Sequence, residues 1–234
     1  MNSLLKSLPV GSIFGVRVFI HSTFFLLLVW YMWEGWDVDG WLGAAFYGLF
    51  TSLLFACILA HEFGHILAAG RFGINSPAVI LWPLGGIAFL SRIDKPKAEF
   101  FMTVAGPLVN VVIAGVLFCV LSLFDTSTAY PGYAFLFTYS LLHELMTANL
   151  FVAVFNLIPC FPMDGGRILR SALAMKFDYE KSTLIAVRLG QAIACLFLFG
   201  VLFDRLMLTV IGVFMLMTAQ KELDYVEGRG NARL

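Results

Sequence analysis

Charged side chains are scarce in this sequence of 234 residues. Asp, Glu, Lys and Arg make up 13% of it, whereas about 25% is normal for soluble domains. Hydrophobic residues make up 60%, and the mean hydropathy is +0.89. This shortage of charge excludes an ordinary soluble domain and indicates a polytopic membrane protein. The formal net charge of zero also excludes the basic surface that binds nucleic acid.

Paired cysteines are absent as well. The four cysteines stand singly in apolar stretches without a C-x-x-C pair, which favours small core residues over metal or redox motifs. They are Cys57, Cys119, Cys160 and Cys195. Cys160 alone lies near a polar motif, where a role as a metal ligand is the less favoured alternative. The segment from Met1 to Arg17 has no short apolar core with a cleavage site, so we interpret it as mature sequence rather than as a signal peptide.

Long apolar runs, in contrast, occur along the whole chain. A helix needs about 20 apolar residues to cross the hydrocarbon core, and six such segments can be placed. We predict spans at residues 19–33, 44–69, 100–124, 133–158, 186–203 and 206–219. The predicted fold class is therefore an all-α polytopic membrane protein with six transmembrane helices. Residues 1–234 are expected to form a single transmembrane domain.

Basic residues are distributed unevenly about these spans. Six crossings place both termini on one side, and fourteen of the fifteen Lys and Arg residues fall on that side. The opposite loops hold only Arg205. Because basic loops face the cytoplasm, we expect both termini to be cytoplasmic, in a prokaryotic cytoplasmic membrane. A cluster of tryptophans around the first outer loop is typical of an interfacial aromatic belt.

The segment from Pro77 to Leu90 does not fit a span. It is too short and carries Pro83, Gly85 and Gly86 in its middle, which predicts a re-entrant β-hairpin or loop directly after the second span. One hypothesis is that a strand edge in this segment pairs with an extended peptide. The alternative is a structural plug that packs the cavity.

The segment His61-Glu62-Phe63-Gly64-His65 spells H-E-x-x-H in the last third of the second predicted span. On a helix, His61 and His65 lie about 40° apart and one turn above each other, so both imidazoles can reach one metal ion. Glu62 is placed to take a proton from water activated by that ion. Two histidines and a glutamate are costly at membrane depth unless they face an interior cavity. This cost disfavours a coincidental pair of helix histidines.

A catalytic zinc site needs three protein ligands and an open position, and Asp164 is the best candidate for the third ligand. It lies in a polar stretch from Asn156 to Gly166, in which two prolines unwind the helix and two glycines allow a tight turn. The charge bias puts Asp164 and the H-E-x-x-H motif at the same cytoplasmic level. The alternative role of Asp164 is the N-cap of a helix from Gly165 to Ala174.

Two further histidines are less suited to the metal. His143 precedes Asp164 by 21 residues, on the order of 30 Å of helix, so we interpret it as an interfacial histidine. His21 begins the first span, where interfacial placement is favoured and a gating or accessory role is the alternative.

Three asparagines are further candidates among the polar groups within the spans. For Asn110 and Asn149 the favoured interpretation is hydrogen bonding between helices. Asn156 differs because it lies two turns before Asp164. There its amide can hold the carbonyl oxygen of a substrate as negative charge develops.

With these motifs in place, the sequence resembles the site-2 protease family of intramembrane zinc metalloproteases. The resemblance covers residues 11–219 and is carried by four motifs. These are HEFGH at residues 61–65, N-x-x-P-x-x-P-x-D-G-G at residues 156–166, the Gly85-Gly86 loop, and Gly106-Pro107-x-x-Asn110. It implies hydrolysis of peptide bonds in or near transmembrane segments, in the course of regulated intramembrane proteolysis. The first and sixth helices would part to admit the substrate.

The resemblance also assigns roles to residues. It implies one Zn²⁺ per chain bound by His61, His65 and Asp164, with Glu62 as the base. Asn156 would position the scissile peptide or stabilise the oxyanion. Contacts with the substrate are implied for Gly85, Gly86 and Asn110.

The same resemblance implies partners, and two rival functions stand beside it. The implied substrates are membrane-tethered regulators such as anti-sigma factors or precursor transcription factors, within the lipid bilayer and without nucleic acid. Neither the PDZ domain nor the CBS domains of some relatives has a counterpart, so we expect a near-minimal catalytic core or a fragment. A catalytically silent membrane receptor or scaffold and a metal transporter are the alternatives. The intact catalytic positions disfavour the first, and the lack of internal repeats disfavours the second.

Overall fold

The computed structural model describes residues 7–83, 85–89, 95–124, 132–198 and 206–231. The chain divides into two compact units, one of Met1–Arg92 with Leu108–Ala153 and one of Ile93–Pro107 with Val154–Leu234. The elements in chain order are β1 (Ser7–Ile13), β2 (Val16–His21), α1 (Ser22–Gly70), β3 (Ala78–Trp82), β4 (Gly85–Ala88), α2 (Pro96–Leu121), α3 (Tyr133–Asn156), α4 (Asp164–Ala174), α5 (Tyr179–Leu198) and α6 (Leu206–Asn231).

The first unit contains a small sheet with the strand order β1-β2-β3-β4. β1 and β2 are antiparallel, and their turn holds Phe14 and Gly15 at positive φ. β2 and β3 are parallel, and α1 supplies the long crossover that a parallel pair requires. We predicted the first span from Phe19, but residues 19–21 belong to β2 and the helix begins at Ser22. The prediction was wrong here because it started the span at the apolar end of β2 and counted the polar residues His21, Ser22 and Thr23, which mark the start of α1, within it.

The segment predicted as a hairpin or loop after the second span contains β3 and β4. These strands are antiparallel, with Trp82 opposite Gly85. Gly85 has a φ of +137°, a conformation that other residues rarely adopt. Residues 84 and 90 lie outside the described residues. Of the two predicted forms, hairpin or loop, the described part of this segment is therefore a β-hairpin.

Helix α1 joins two predicted spans in one element of 49 residues. The backbone leaves helical geometry at Asp39 and Gly40, where Gly40 has a φ of +54°. Gly35 and Gly43 then face each other so closely that a Cβ on Gly35 would lie 2.7 Å from the carbonyl carbon of Gly43. The two halves of α1 thus fold back on each other as a helical hairpin, because glycines allow the backbones to approach.

Within the described residues, four helices are long and apolar enough to cross a membrane: α1, α2, α3 and α5. They indicate an integral membrane protein. α1 holds the second predicted span and all of the first except residues 19–21, and α2 and α3 hold most of the third and fourth. α5 begins earlier than predicted, at Tyr179. Residues 199–203 of the fifth predicted span lie outside the described residues. The sixth predicted span lies within α6, which is not among the four candidates. Six crossings therefore stay a prediction.

In the second unit, α4 is held by the buried Arg170. Its guanidinium donates to the carboxylates of Glu99 on α2 and Glu222 on α6, and it lies about 5 Å from the ring centres of Phe161 and Tyr179. Burial by itself lowers the pKa of Arg170, but the two carboxylates hold that pKa above its ordinary value. Arg170 is therefore charged and links three helices of this unit.

Candidate metal centre

His61 and His65 lie one turn apart on α1, and both are buried with 5% exposure. Their Nε2 atoms are 3.1 Å apart, and their rings meet at 87°. Two nitrogens that each lie about 2.05 Å from a tetrahedral zinc ion would be about 3.3 Å apart. The spacing of the two imidazoles therefore fits ligation of one ion.

Asp164 is the first residue of α4. The N-cap position belongs to Met163, so the predicted alternative role of Asp164 as N-cap is wrong. A carboxylate in the first turn is stabilised by the positive end of the helix dipole. A Cβ on Gly165 would collide with the carbonyl oxygens of Leu157 and Ile158. Glycine is thus required at position 165, because the start of α4 lies directly against the backbone of residues 157 and 158. This packing holds Asp164 in a buried position.

His61, His65 and Asp164 form a group whose potential ligand atoms all lie within 4.8 Å of one another. Two imidazole nitrogens and one carboxylate oxygen are a donor set of catalytic zinc sites, in which a fourth position stays open. All three side chains are buried. The group can therefore hold a zinc ion by its chemistry and its spacing.

Glu62 follows the first histidine and is partly buried. Gly86 on β4 packs against its side chain, since a Cβ on Gly86 would lie 2.8 Å from the Glu62 carboxyl carbon and 2.9 Å from Oε1. Only glycine lets the strand come this close to the carboxylate. Gly85 has open space where its Cβ would stand, so its positive φ is what requires glycine there.

Asn110 contacts His61, and no pattern in the sequence predicts this contact. The Nδ1 atom of His61 lies 2.6 Å from Asn110 Oδ1, and Asn110 Nδ2 donates to Asn149 Oδ1 at 2.8 Å. Hydrogen bonding between helices, predicted for each of the two asparagines, is confirmed, and both side chains are fully buried. The sequence shows two amides on neighbouring apolar spans, which indicates that they can be partners of other polar groups there. It does not show how each helix is rotated about its axis, and that rotation decides which residue each amide faces.

Three further polar candidates occupy other positions on the helices. Asn156 is the last residue of α3 and is partly buried. His21 caps α1, with its Nδ1 2.7 Å from Thr23 Oγ1. His143 is exposed on α3 and stacks on Tyr139, with ring centres 6.2 Å apart.

Cys160 is buried in the loop before α4. Its Sγ donates to the carbonyl oxygen of Gly190 at 3.2 Å, and burial raises the pKa of its thiol to about 11. Metal ligation requires the thiolate, which this environment disfavours. The favoured interpretation of Cys160 as a core residue is therefore supported.

The sequence matches the model of Peptidase family M50 over residues 49–138 and 132–197. A zinc metalloprotease from Methanocaldococcus jannaschii is 37% identical over 222 residues, which cover 94% of this chain and 62% of the relative. A putative zinc metalloprotease from Synechocystis is 34% identical over 201 residues, which cover 80% and 49%. Stage IV sporulation protein FB from Bacillus subtilis is 29% identical over 131 residues, which cover 55% and 42%.

A solved structure of similar fold is the site-2 protease from Methanocaldococcus jannaschii. The TM-score is 0.64 at 34% identity, and the match covers 93% of this chain and 95% of that chain. The chain spans 62% and 49% of the length of the first two curated relatives named above. Similarity to those proteins thus extends over part of their length.

Proposed function

The chain belongs to peptidase family M50, and from this premise we propose that it is an intramembrane zinc metalloprotease. Its reaction is hydrolysis of peptide bonds in or near the transmembrane segments of membrane-tethered proteins. The observation that carries the proposal is the buried group of His61, His65 and Asp164, with ligand atoms within 4.8 Å, in a chain whose described part includes four long apolar helices. The adjacent carboxylate of Glu62 supplies the acid–base group that hydrolysis needs.

One zinc ion per chain would be held by imidazole nitrogens of His61 and His65 and by a carboxylate oxygen of Asp164. When bound, zinc supplies Lewis-acid activation of water and of the peptide carbonyl. Asp164 contributes a negative charge where the two imidazoles contribute none. The three residues together therefore offset half of the charge of a divalent ion and leave it electrophilic.

Glu62 acts as the general base and then as the general acid. Its carboxylate accepts a proton from the attacking water and passes that proton to the nitrogen of the leaving amine. The bond formed joins the water oxygen to the peptide carbonyl carbon, and the bond broken is the C–N bond of the peptide. Support comes from the position of Glu62 beside His61 and from its partial burial, which limits competition from bulk water.

The substrate lies along β4, in extended form. β4 is one of the two edge strands of the sheet that the described residues form, and Gly86 brings that strand against the Glu62 side chain. A peptide paired with this edge would pass close to the base. Asn156 would stabilise the developing oxyanion, and Gly85 and Gly86 would contact the substrate backbone. A transmembrane substrate must unwind locally for this, which favours targets with helix-breaking residues, such as membrane-tethered transcriptional regulators.

The proposal includes a single transmembrane domain with six spans and cytoplasmic termini. The bias of fourteen basic residues toward one side supports this orientation. The active site would then open toward the cytoplasm, from which water enters.

The test is cleavage of a membrane-tethered substrate by the purified chain in lipid vesicles. Glu62→Gln should retain zinc, because the three ligands are intact, and should lower the cleavage rate by about 10²–10⁴-fold. The matched control is Glu144→Gln, which alters the exposed carboxylate of a second His-Glu pair on α3 and should leave the rate unchanged. Undiminished cleavage by Glu62→Gln would remove Glu62 from the mechanism, and zinc-loaded wild-type protein without activity would favour the receptor alternative.

A further inference from the structure

A chain of hydrogen bonds runs from His61 to a backbone carbonyl, and the proposed mechanism leaves its far end without a role. His61 Nδ1 lies 2.6 Å from Asn110 Oδ1, and Asn110 Nδ2 lies 2.8 Å from Asn149 Oδ1. Asn149 Nδ2 in turn lies 2.8 Å from the carbonyl oxygen of Leu145, one turn earlier on α3. The exposed fraction is 5% for His61 and 0% for both asparagines. Water therefore has little access to these groups.

The carbonyl oxygen of Leu145, at the end of this series of hydrogen bonds, determines which atom donates in each of them. A backbone carbonyl only accepts hydrogen bonds, so Asn149 must turn its NH₂ group toward Leu145. Its Oδ1 then faces Asn110 and requires a donor, which must be the NH₂ group of Asn110. Asn110 consequently presents its Oδ1 to His61. Since that oxygen only accepts, the proton of the neutral imidazole must be on Nδ1.

The proton on Nδ1 leaves the lone pair on Nε2. The Nε2 of His61 is the atom that lies 3.1 Å from the Nε2 of His65, on the side where a shared ligand would be bound. A histidine binds metal through an unprotonated nitrogen, and the partner of the other nitrogen decides which one is unprotonated.

We propose that Asn149 is a positioning residue that acts on the metal through Asn110 and His61. It orients the Asn110 amide, which holds His61 in the Nδ1–H tautomer with Nε2 ready for the ion. This inference rests on the proposed function, because it takes His61 as a metal ligand. The role proposed here for Asn110 also differs from the substrate contact that the resemblance implies, because Oδ1 of Asn110 faces His61 and Nδ2 faces Asn149.

Loss of Asn149 has a specific consequence in this scheme. Without its Oδ1, nothing holds the NH₂ group of Asn110 away from His61, and the amide can flip. A flipped amide donates to Nδ1 and thereby moves the imidazole proton to Nε2, which blocks ligation. A carboxylate at position 110 does not have this weakness, because either of its oxygens accepts from Nδ1.

The experiment measures zinc affinity of the full chain in detergent, by competition with a chelating indicator. Asn149→Ala should bind zinc about 10–100-fold more weakly than wild type. Asn110→Asp combined with Asn149→Ala should return most of the lost affinity. The matched control is Thr147→Ala, which removes another side-chain bond to a carbonyl one turn earlier on α3, at 2.9 Å, and should bind zinc like wild type. In metal-free protein, the ¹⁵N shifts of the wild-type His61 ring should report the Nδ1–H tautomer.

Three outcomes would overturn the inference. These are unchanged zinc affinity in Asn149→Ala, a loss that Asn110→Asp does not recover, and the Nε2–H tautomer in wild-type protein. If wild-type protein binds zinc and cleaves substrate while any of these holds, the proposed function stands and only the role of Asn149 fails. If wild-type protein binds no zinc, both fail together.

Discussion

The two compact units each contain a buried polar cluster, and the two clusters differ in charge. The cluster of the first unit is neutral, with two amides on the apolar helices α2 and α3 beside His61. The cluster of the second unit is ionic, with Arg170 between Glu99 and Glu222. Arg170 lies on α4, which is not a candidate membrane span. Groups that carry full charge are costly within the bilayer, whereas an amide is cheaper to bury and gives each hydrogen bond a direction.

This difference indicates different purposes for the two clusters. The neutral chain orders donors and acceptors toward a metal ligand, so its loss should affect ligand binding more than folding. The ionic cluster ties α4 to α2 and α6, so its loss should affect folding. We therefore expect Asn149→Ala to lower the zinc affinity strongly and to change the free energy of unfolding only slightly.

Removal of Arg170 should give the largest effect on stability. Arg170→Met takes from Glu99, whose side chain is 3% exposed, its buried partner and leaves the carboxylate only Arg167, whose Nε is 3.8 Å away and whose side chain is 28% exposed. Loss of one partner of a buried ion pair costs about 3–5 kcal/mol, and because Arg167 still offsets part of the charge we expect the lower end of that range, which thermal or denaturant unfolding in detergent would detect. The sharper variant is Arg170→Met combined with Glu99→Gln, which should recover much of this loss because no buried charge is left alone. Equal stability of Arg170→Met and wild type would contradict the assignment of this cluster as a structural link.

Gly86→Ala should give a smaller effect, confined to catalysis. The added Cβ would stand 2.8 Å from the Glu62 carboxyl carbon, so either the strand or the carboxylate must shift. A displacement of about 1 Å can lower a catalytic rate about 10²-fold, and zinc affinity should stay unchanged. The matched control is Gly115→Ala on α2, where the Cβ meets nothing within 4 Å. A wild-type cleavage rate in Gly86→Ala would show that the approach of β4 to Glu62 is not needed.

Much of the candidate site follows from the sequence, because its motifs are local. The spacing of His61 and His65 defines one face of a helix, and the break before Asp164 marks where the fourth apolar run ends. The contact of Asn110 with His61 was not predictable in the same way. It depends on how α1 and α2 are rotated about their axes, and 49 positions separate the two residues.

The sequence indicated the fold less completely than the site. Apolar runs located most of the spans, but the apolar residues of β2 were taken for the start of the first span, although His21, Ser22 and Thr23 mark the start of α1. The pairing of Arg170 with Glu99 spans 71 positions, and no local pattern indicates it. Charge pairs of this kind are decided by packing, so a sequence shows the charges without their partners.

The most direct test of the central claim is X-ray absorption at the zinc edge on the purified full chain. We predict one zinc ion per chain, with two imidazole nitrogens at about 2.0–2.1 Å from the ion and oxygen ligands at about 2.0–2.2 Å from it. A spectrum without imidazole scattering, a sulfur ligand at about 2.3 Å, or protein that cleaves substrate without zinc would contradict it.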